Sequence, residues 1–533
     1  MTSNRFKALW LGQDYLLVIF SAVLTSLSII YVSYFLAWIA FAFLFFTLFS
    51  LKSLRQIVYI GFVFGGVSSG ILNTWMIPAV RYYAKGSMML GVFCWMVSAI
   101  LIAFVYGSQF LLYHKLRFSP KNKYTVVLNG VLMAVLWVLA EWLRAVCFSG
   151  MPWLSYSVGI TQSSSLYLLQ PAALGSVYIL SFALILANYF LSYACYSQQW
   201  RWSIIALSVF FIQIAGGFFQ YQNITARTKK SDGEKITTAL ILASLPPEAV
   251  WDETNGEALV QNLIRLNHEA TQANPDLILW SESIIPWTYT PDDDFVKEIT
   301  KGLTNKRTHH LLGMNTAANQ SESTISNSAY LLNGSGRLLD RYDKQELLTI
   351  VEKPLWSNSG DLILPFLAGT GIKILPGKIR RTINSPWGKA GVLLCNESAI
   401  PALTTTTNQE QISYLVNLGN DGWFSNYFIT RQHFFNARLR AVEARKDILI
   451  NNNLGISGVV RANGDIAGRY QLAQSSVQYA DIYPNHIAAS SYLYFMYFLL
   501  FVSAVLVSLR LYYGLINTNK QSITINTRRY EMK

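Results

Sequence analysis

Three residues of unlike chemistry close apolar runs within one polar stretch: Glu282 after LILWS, Lys344 after LLDRYD and Cys395 after AGVLL. A carboxylate, an ammonium and a thiol gathered at strand ends would form an acyl-transfer site, with base, oxyanion partner and nucleophile. Cys395 is the single cysteine of the block between about 225 and 487, since Cys94, Cys147 and Cys195 all lie in apolar segments. The block therefore has no internal disulfide. The plain alternative is a buried structural cysteine, which is common.

Asn396, Glu397 and Ser398 follow the thiol, so the strand ends where a helix or sharp turn can begin. Backbone N–H groups at such a turn lower a thiol pKa and receive an oxyanion. A base is also needed. His268, His309, His310, His433 and His486 are available, but none ends an apolar strand. His433 lies on a helical stretch and His309–His310 begin a strand, so these histidines read as structural or exposed. No Cys/His pair has metal-ligand spacing, so no metal and no cofactor is expected. Glu282, between Leu277-Ile278-Leu279-Trp280 and Ile284-Ile285-Pro286, is the better base. Such flanks raise a carboxyl pKa toward neutrality. A surface glutamate after a strand is the ordinary alternative, and one lysine among many carries no weight by itself.

These residues need elements to hold them. ITTALILASL (236–245), PDLILWSES (275–283), THHLLGMNT (308–316), NSAYLLN (327–333), KAGVLLCNES (389–398) and ISYLVNLGND (412–421) read as strands. GEALVQNLIRLNHEATQAN (256–274) and ITRQHFFNARLRAVEARKD (429–447) read as helices, and the alternation predicts an α/β domain. A strand at 447–460 and a hairpin turning at Asn463-Gly464 follow, and Thr404–Thr407 reads as a loop.

On both sides of this block the chain is apolar. Only 13% of its 533 residues are charged, about half the usual ~25%. Stretches near 14–32, 34–50, 57–80, 87–113, 125–147, 173–197, 202–220 and 491–511 are candidate spans, about eight in all, each near the roughly 20 residues a bilayer requires. The first follows Arg5 and Lys7 but lacks a small-residue cleavage site, so it reads as an uncleaved anchor. Lys and Arg collect in alternate loops and in the tail, which puts both termini in the cytoplasm and the polar block outside. The net charge of +13 is scattered over loops and excludes a nucleic-acid groove. The divisions expected are 1–224 membrane, 225–487 polar domain and 488–533 last span with tail. Glu141 and Arg144, inside an apolar segment, form either a structural pair or the membrane-side floor of the site. The segment 354–377 is too broken to span and reads as an arm touching the bilayer.

WSESIIP, then RYDK about 60 residues on, then LLCNE about 50 beyond, resembles the nitrilase superfamily with its Glu-Lys-Cys triad. The resemblance runs through most of 236–480. NLGNDGWF (417–424), RQHFFNARLRAVEAR (431–445), NNNLGISGVV (451–460) and VLWVLAEWLRAVCFSGMPWLSYSVG (135–159) are similar to a narrower branch, the bacterial apolipoprotein N-acyltransferases. The resemblance implies a polytopic α-helical membrane domain with a nitrilase-like α/β (αββα sandwich) domain inserted before the last span. It implies Glu282 as base, Lys344 as oxyanion partner and Cys395 as nucleophile, supported by Glu352, Glu397 and Asn396. Trp251, Trp423, Glu141, Arg144 and Trp153 are implied in substrate binding. The chain departs from the family where Leu348–Val351 replaces a Pro-Phe-Gly segment before Glu352. It departs also where Asn396 stands for an aromatic residue, and where Ala243-Ser244-Leu245 lacks a Gln-x-Asn.

The implied reaction is a ping-pong transfer from a phospholipid, through a thioester, to the α-amino group of a diacylglyceryl-cysteine lipoprotein. It would run at the periplasmic face of the bacterial inner membrane, in a monomer. The competing readings are a membrane-tethered amidohydrolase of small C–N substrates, with water as second nucleophile, and a scaffold that has lost catalysis.

Overall fold

The computed structural model describes residues 2–83, 87–119, 122–229, 234–246, 251–252, 254–301, 307–317, 324–349, 351–353, 373–377, 382–422, 424, 427–471 and 474–531. Most of the segment 354–377, and Trp423, lie outside them.

Among the described residues, six helices are long and apolar enough to cross a membrane: Leu54–Leu72, Met88–Leu116, Lys123–Cys147, Ala172–Ser197, Arg201–Lys229 and Tyr492–Tyr513. Shorter apolar helices cover Asp14–Ile30 and Tyr34–Ser50, so each of the eight expected stretches holds apolar helix. This is a polytopic membrane protein. The expected span at 57–80 is in fact broken: one helix ends at Leu72 and another, Met76–Tyr83, begins after a turn. Asn73 makes the break, because its buried amide donates to Ser69 Oγ (3.0 Å) and to the Trp153 carbonyl (3.3 Å). The uncharged stretch after Cys147 also turns inward, as short 3₁₀ turns Pro152–Leu154 and Val158–Ser164, with Thr161, Gln162 and Ser163 fully buried. Irregular backbone at membrane depth is tolerated only where protein covers it.

The polar block is a four-layer αββα sandwich. Its strands are β1 (Ile236–Leu242), β2 (Leu277–Leu279), β3 (His309–Ala317), β4 (Thr324–Leu332), β5 (Leu338–Asp343), β6 (Lys373–Ile374), β7 (Thr382–Ser385), β8 (Gly388–Leu394), β9 (Tyr414–Asn420), β10 (Ile448–Asn453), β11 (Ser457–Val460), β12 (Ile466–Tyr470) and β13 (Ser476–Ile482). One sheet runs β13-β1-β2-β3-β4-β5, with β6 beside β4, and the other β12-β11-β10-β9-β8-β7. Period-2 alternation sends Leu240, Leu279, Leu311 and Leu331 of the first sheet against Val392, Leu394, Val416 and Leu449 of the second. The first sheet's other face carries Ile241, Ile278 and Trp280, which pack on Leu263 and Leu266 of the helix Gly256–Gln272.

The second sheet is covered by the helix Tyr427–Ala444, buried on both sides. Phe434, Leu439 and Val442 share one apolar core with Leu415 and Ile448 of the sheet and with Leu180 and Leu184 of the membrane helix Ala172–Ser197. Polar contacts also join this helix to the bundle: Gln432 Nε2 donates to the Ile29 carbonyl (2.7 Å), Arg438 Nη1 to the Ser163 carbonyl (2.6 Å), and Glu443 accepts from Ser176 Oγ (2.7 Å). The two sheets are stitched by Asn451 and Asn453. Asn451 Nδ2 donates to the carbonyls of Leu279 (2.8 Å) and Ile241 (3.2 Å) across the sandwich, and Asn453 exchanges hydrogen bonds with the backbone of Leu245. Thr404–Thr407, expected as loop, lies in the helix Pro401–Gln409, where Pro401 starts the helix and Leu403 and Thr404 are buried.

Candidate active site

Glu282 leaves the C-terminal end of β2 and Cys395 that of β8, while Lys344 follows β5, and the sandwich brings these ends to one edge. Close approach at Gly313 permits the Glu282 turn, because a Cβ there would stand 2.9 Å from the Glu282 Cα. Lys344 Nζ lies 3.1 Å from Glu282 Oε1 and 3.0 Å from Glu352 Oε1, with all three side chains largely buried. Asn327 ties the first two together: its Nδ2 donates to Glu282 Oε1 (2.7 Å) and its carbonyl accepts from the Lys344 N–H (2.8 Å). Burial alone would lower the Lys344 pKa, but Glu282, Glu352 and Cys395 outweigh it and hold the ammonium well above its usual range.

Cys395 heads the short 3₁₀ helix Cys395–Ala399 and takes φ +51°, a left-handed conformation that costs a non-glycine residue ~1–3 kcal/mol. Glu397 holds this turn. Its carboxylate accepts from the N–H groups of Leu394 (2.7 Å), Gln345 (2.8 Å) and Glu346 (3.1 Å) and from the Tyr342 hydroxyl (2.9 Å). The turn is thereby fastened to the segment after Lys344. Burial raises the Glu397 pKa to about 7 against the pull of these donors. The expected lowering of the thiol pKa does not occur: burial, with Glu282 adding to it, pushes the Cys395 thiol well above its ordinary value, and Lys344 only opposes. The resting sulfur is a thiol that needs a base.

Glu352 accepts from Lys344 on one oxygen and from the Leu348 N–H (2.7 Å) on the other, so Glu352 and Glu346–Thr349 form a cradle beside Lys344 without Pro-Phe-Gly. Gly150 and Ser149 of the membrane half hold that cradle. The Gly150 carbonyl accepts from the Thr349 N–H (2.9 Å), and Ser149 Oγ donates to Glu346 (2.7 Å). Gly377, at the described end of the 354–377 segment, donates its N–H to the Lys344 carbonyl (2.7 Å).

Cys395 and Asn396 open on a cavity of ≈ 680 Å³ that is also lined by the membrane half: Trp75 in the turn after Leu72, Val80 in the short helix Met76–Tyr83, and Phe93, Val97 and Leu101 in the membrane helix Met88–Leu116. Trp153 lines it. Glu141 and Arg144 do not, nor do they form an ion pair among the described residues. Glu141 accepts from Trp137 Nε1 (3.1 Å) and the Val158 N–H (2.9 Å), and Arg144 donates to the Tyr156 carbonyl (3.1 Å). Both brace the inward-turning loop that carries Trp153. Trp251 stands apart, edge-on to Trp287 at 5.7 Å in a separate shallow pocket with Asp252 and Pro286.

Two residues escaped the sequence reading. Asn327 lies within β4 and has no signature of its own. His433, read as structural or exposed, is buried and lines the cavity, its Nδ1 2.6 Å from Asp421 Oδ1. His310 is structural: Trp280 Nε1 donates to it, and burial lowers its pKa to about 3.

Two family models match the chain in succession: the apolipoprotein N-acyltransferase N-terminal domain over residues 21–190 and carbon-nitrogen hydrolase over residues 242–492. A Geobacter metallireducens protein named apolipoprotein N-acyltransferase is 28% identical over 87% of this chain and 88% of its own length. A Synechocystis protein of the same name is 23% identical over 74% and 78%. The crystal structure of Saccharomyces cerevisiae Nit3, of the nitrilase superfamily, aligns with 47% of this chain and 91% of its own at 18% identity and a TM-score of 0.34. With the helical half and the cysteine-bearing half matched in this order, the chain is similar over most of its length to proteins named apolipoprotein N-acyltransferase, with a carbon-nitrogen hydrolase domain after the helical part.

Proposed function

We propose that this protein transfers an acyl chain from a phospholipid to the α-amino group of a diacylglyceryl-cysteine lipoprotein, through a thioester on Cys395. The observation that carries the reading is the position of Cys395 on an apolar cavity walled in part by the membrane half. Its volume falls in the ~300–1,000 Å³ range of ligand pockets, and its walls suit acyl chains rather than a small polar amide. They also keep water from the thioester, which an amidohydrolase would have to admit.

Glu282 takes the Sγ proton as sulfur attacks the ester carbonyl carbon. Lys344 and a backbone N–H near Asn396 stabilise the oxyanion, the C–O bond breaks, and Glu282 protonates the departing lysophospholipid. The amine then attacks the thioester, the C–S bond breaks and Cys395 regains its proton by way of Glu282. Glu352 keeps Lys344 in place, Glu397 and Asn396 shape the nucleophile's turn, and Trp153 contacts the acyl chain. Trp251 and Trp423 remain proposed contacts for the acceptor. The membrane domain is 1–224, the acyltransferase domain 225–487 faces the periplasm, and 488–533 returns the chain to the cytoplasm. The protein acts as a monomer in the bacterial inner membrane.

Incubating the purified protein with a fluorescent phospholipid and a diacylglyceryl peptide tests this. N-acyl peptide is expected with the wild type and not with Cys395→Ala. Peptide acylation that survives Cys395→Ala, or hydrolysis of small amides without lipid transfer, would sink the proposal.

A further inference from the structure

The helix Tyr427–Ala444 presents Ile429, Gln432, His433, Asn436 and Arg440 to the cavity that holds Cys395. Among the described residues lining that cavity His433 is the sole imidazole. Its Nδ1 is bound to Asp421, a fully buried residue at the end of β9, the strand next to the one that delivers Cys395. Asp421 is itself fixed, its N–H donating to the Asn453 carbonyl (2.9 Å). A carboxylate on Nδ1 selects the tautomer with hydrogen there, which leaves the Nε2 lone pair free. Nε2 makes no hydrogen bond among the described residues.

Proton bookkeeping gives this pair a task. The first half-reaction is neutral: the proton taken from Sγ leaves on the lysophospholipid oxygen. The second is not. An α-amino group, with a pKa of ~7.7–8.0, arrives mainly as an ammonium with three protons. One remains on the amide nitrogen and one returns to Sγ through Glu282. The third must leave before the nitrogen has a lone pair to attack with, and Glu282 handles only one.

We propose that His433, oriented by Asp421, is the base that removes this first proton from the acceptor's ammonium, so that the two half-reactions use different bases. The inference rests on the acyl transfer proposed above. Nε2 takes the proton, the nitrogen lone pair forms the C–N bond, the C–S pair returns to sulfur, and the imidazolium releases its proton to water. Asp421 is a positioning residue. Burial disfavours the imidazolium, but Asp421 and Glu282 outweigh burial and the opposing Lys344, so His433 is a stronger base than free imidazole. The Phe424 ring lies 5.8 Å from the imidazole, and the other polar or titratable side chains that line the cavity with it include the Tyr156 phenol, the Cys395 thiol, Gln432, Asn436 and the Arg440 guanidinium.

The test separates the half-reactions in the full-length protein. Acyl-enzyme formation from labelled phospholipid is read as hydroxylamine-labile label, and aminolysis by chasing that adduct with diacylglyceryl peptide between pH 6 and 10. With His433→Gln, aminolysis at pH 7 is expected to fall ~10²–10³-fold, far more than acylation, and the deficit to close above about pH 9, where the amine is already free. Equal loss in both steps, or a deficit unchanged by pH, would overturn the proposal. A second measurement needs no variant: with acceptors of graded amine pKa, the wild-type rate at pH 7 is expected not to track the free-amine fraction, and strict proportionality overturns the idea. A wild type that forms the adduct but never acylates peptide would instead contradict the function on which the inference rests.

Discussion

Lys344 faces two carboxylates, at 3.1 and 3.0 Å, in a setting where one ammonium must balance both. Lys344→Met leaves Glu282 and Glu352 buried without a cation. It is expected to cost about 3–5 kcal/mol in stability, and ~10²–10³ in the rate of adduct formation from loss of the oxyanion partner. Thermal unfolding and single-turnover acylation check the two effects separately. Glu397 brings a pH dependence. Its folded pKa of about 7 lies above the ordinary 4.5, so the folded state binds the extra proton between these values. Its contribution is therefore present below pH 4.5 and lost as pH rises through 7, a change on the order of 3 kcal/mol. Glu397→Gln is expected to flatten the fall of Tm between pH 5 and 8, although it lowers Tm overall because the backbone donors lose an acceptor. Glu282 and Cys395 stood out because each closes an apolar run, and Lys344 only through its order and spacing relative to them. His433 was not: its partner Asp421 belongs to another element, and helical spacing alone marks it as scaffold.

Among the elements, the link between Ser149-Gly150 and Glu346–Thr349 joins the membrane half to the cradle of Glu352. Gly150 has φ +82°, and a Cβ there would stand 2.5 Å from the Leu347 carbonyl and 2.6 Å from Thr349 Oγ1. Gly150→Ala is expected to push that segment away and slow adduct formation ~10-fold or more by displacing Glu352 and, through it, Lys344. Restoration of the wild-type rate in that variant's acylation assay is not expected at any pH. Strands and the two long helices of the sandwich were readable because period-2 and period-3.6 patterns are local. The break at Asn73 was not, since a carbonyl 80 residues away accepts from its amide. The same reason hid the roles of Glu141 and Arg144. Charge in an apolar helix signals a polar partner, and here the partners are backbone groups of a loop rather than each other.

On the scale of the molecule, the helix Tyr427–Ala444 is shared by sandwich and bundle, so neither completes its core alone. A fragment comprising residues 225–487 is expected to self-associate or require detergent, because the helix would expose its bundle-facing apolar residues. Sedimentation in detergent-free buffer checks this, and a well-behaved soluble monomer would be the contrary result. Charge bias in the loops predicts the orientation, and a reporter at residue 300 is expected to read as external. The cavity joining Cys395 to walls from the membrane half could not be read, because it is assembled from segments scattered over the chain. The central claim is that a phospholipid acyl chain is carried on Cys395 at that cavity. The most direct measurement is mass mapping of the protein after incubation with labelled phospholipid alone. A hydroxylamine-labile acyl group on Cys395, absent in Cys395→Ala and discharged by diacylglyceryl peptide, is the expected result. Label on another residue, or N-acyl peptide formed with no adduct at Cys395 on the reaction path, would contradict it.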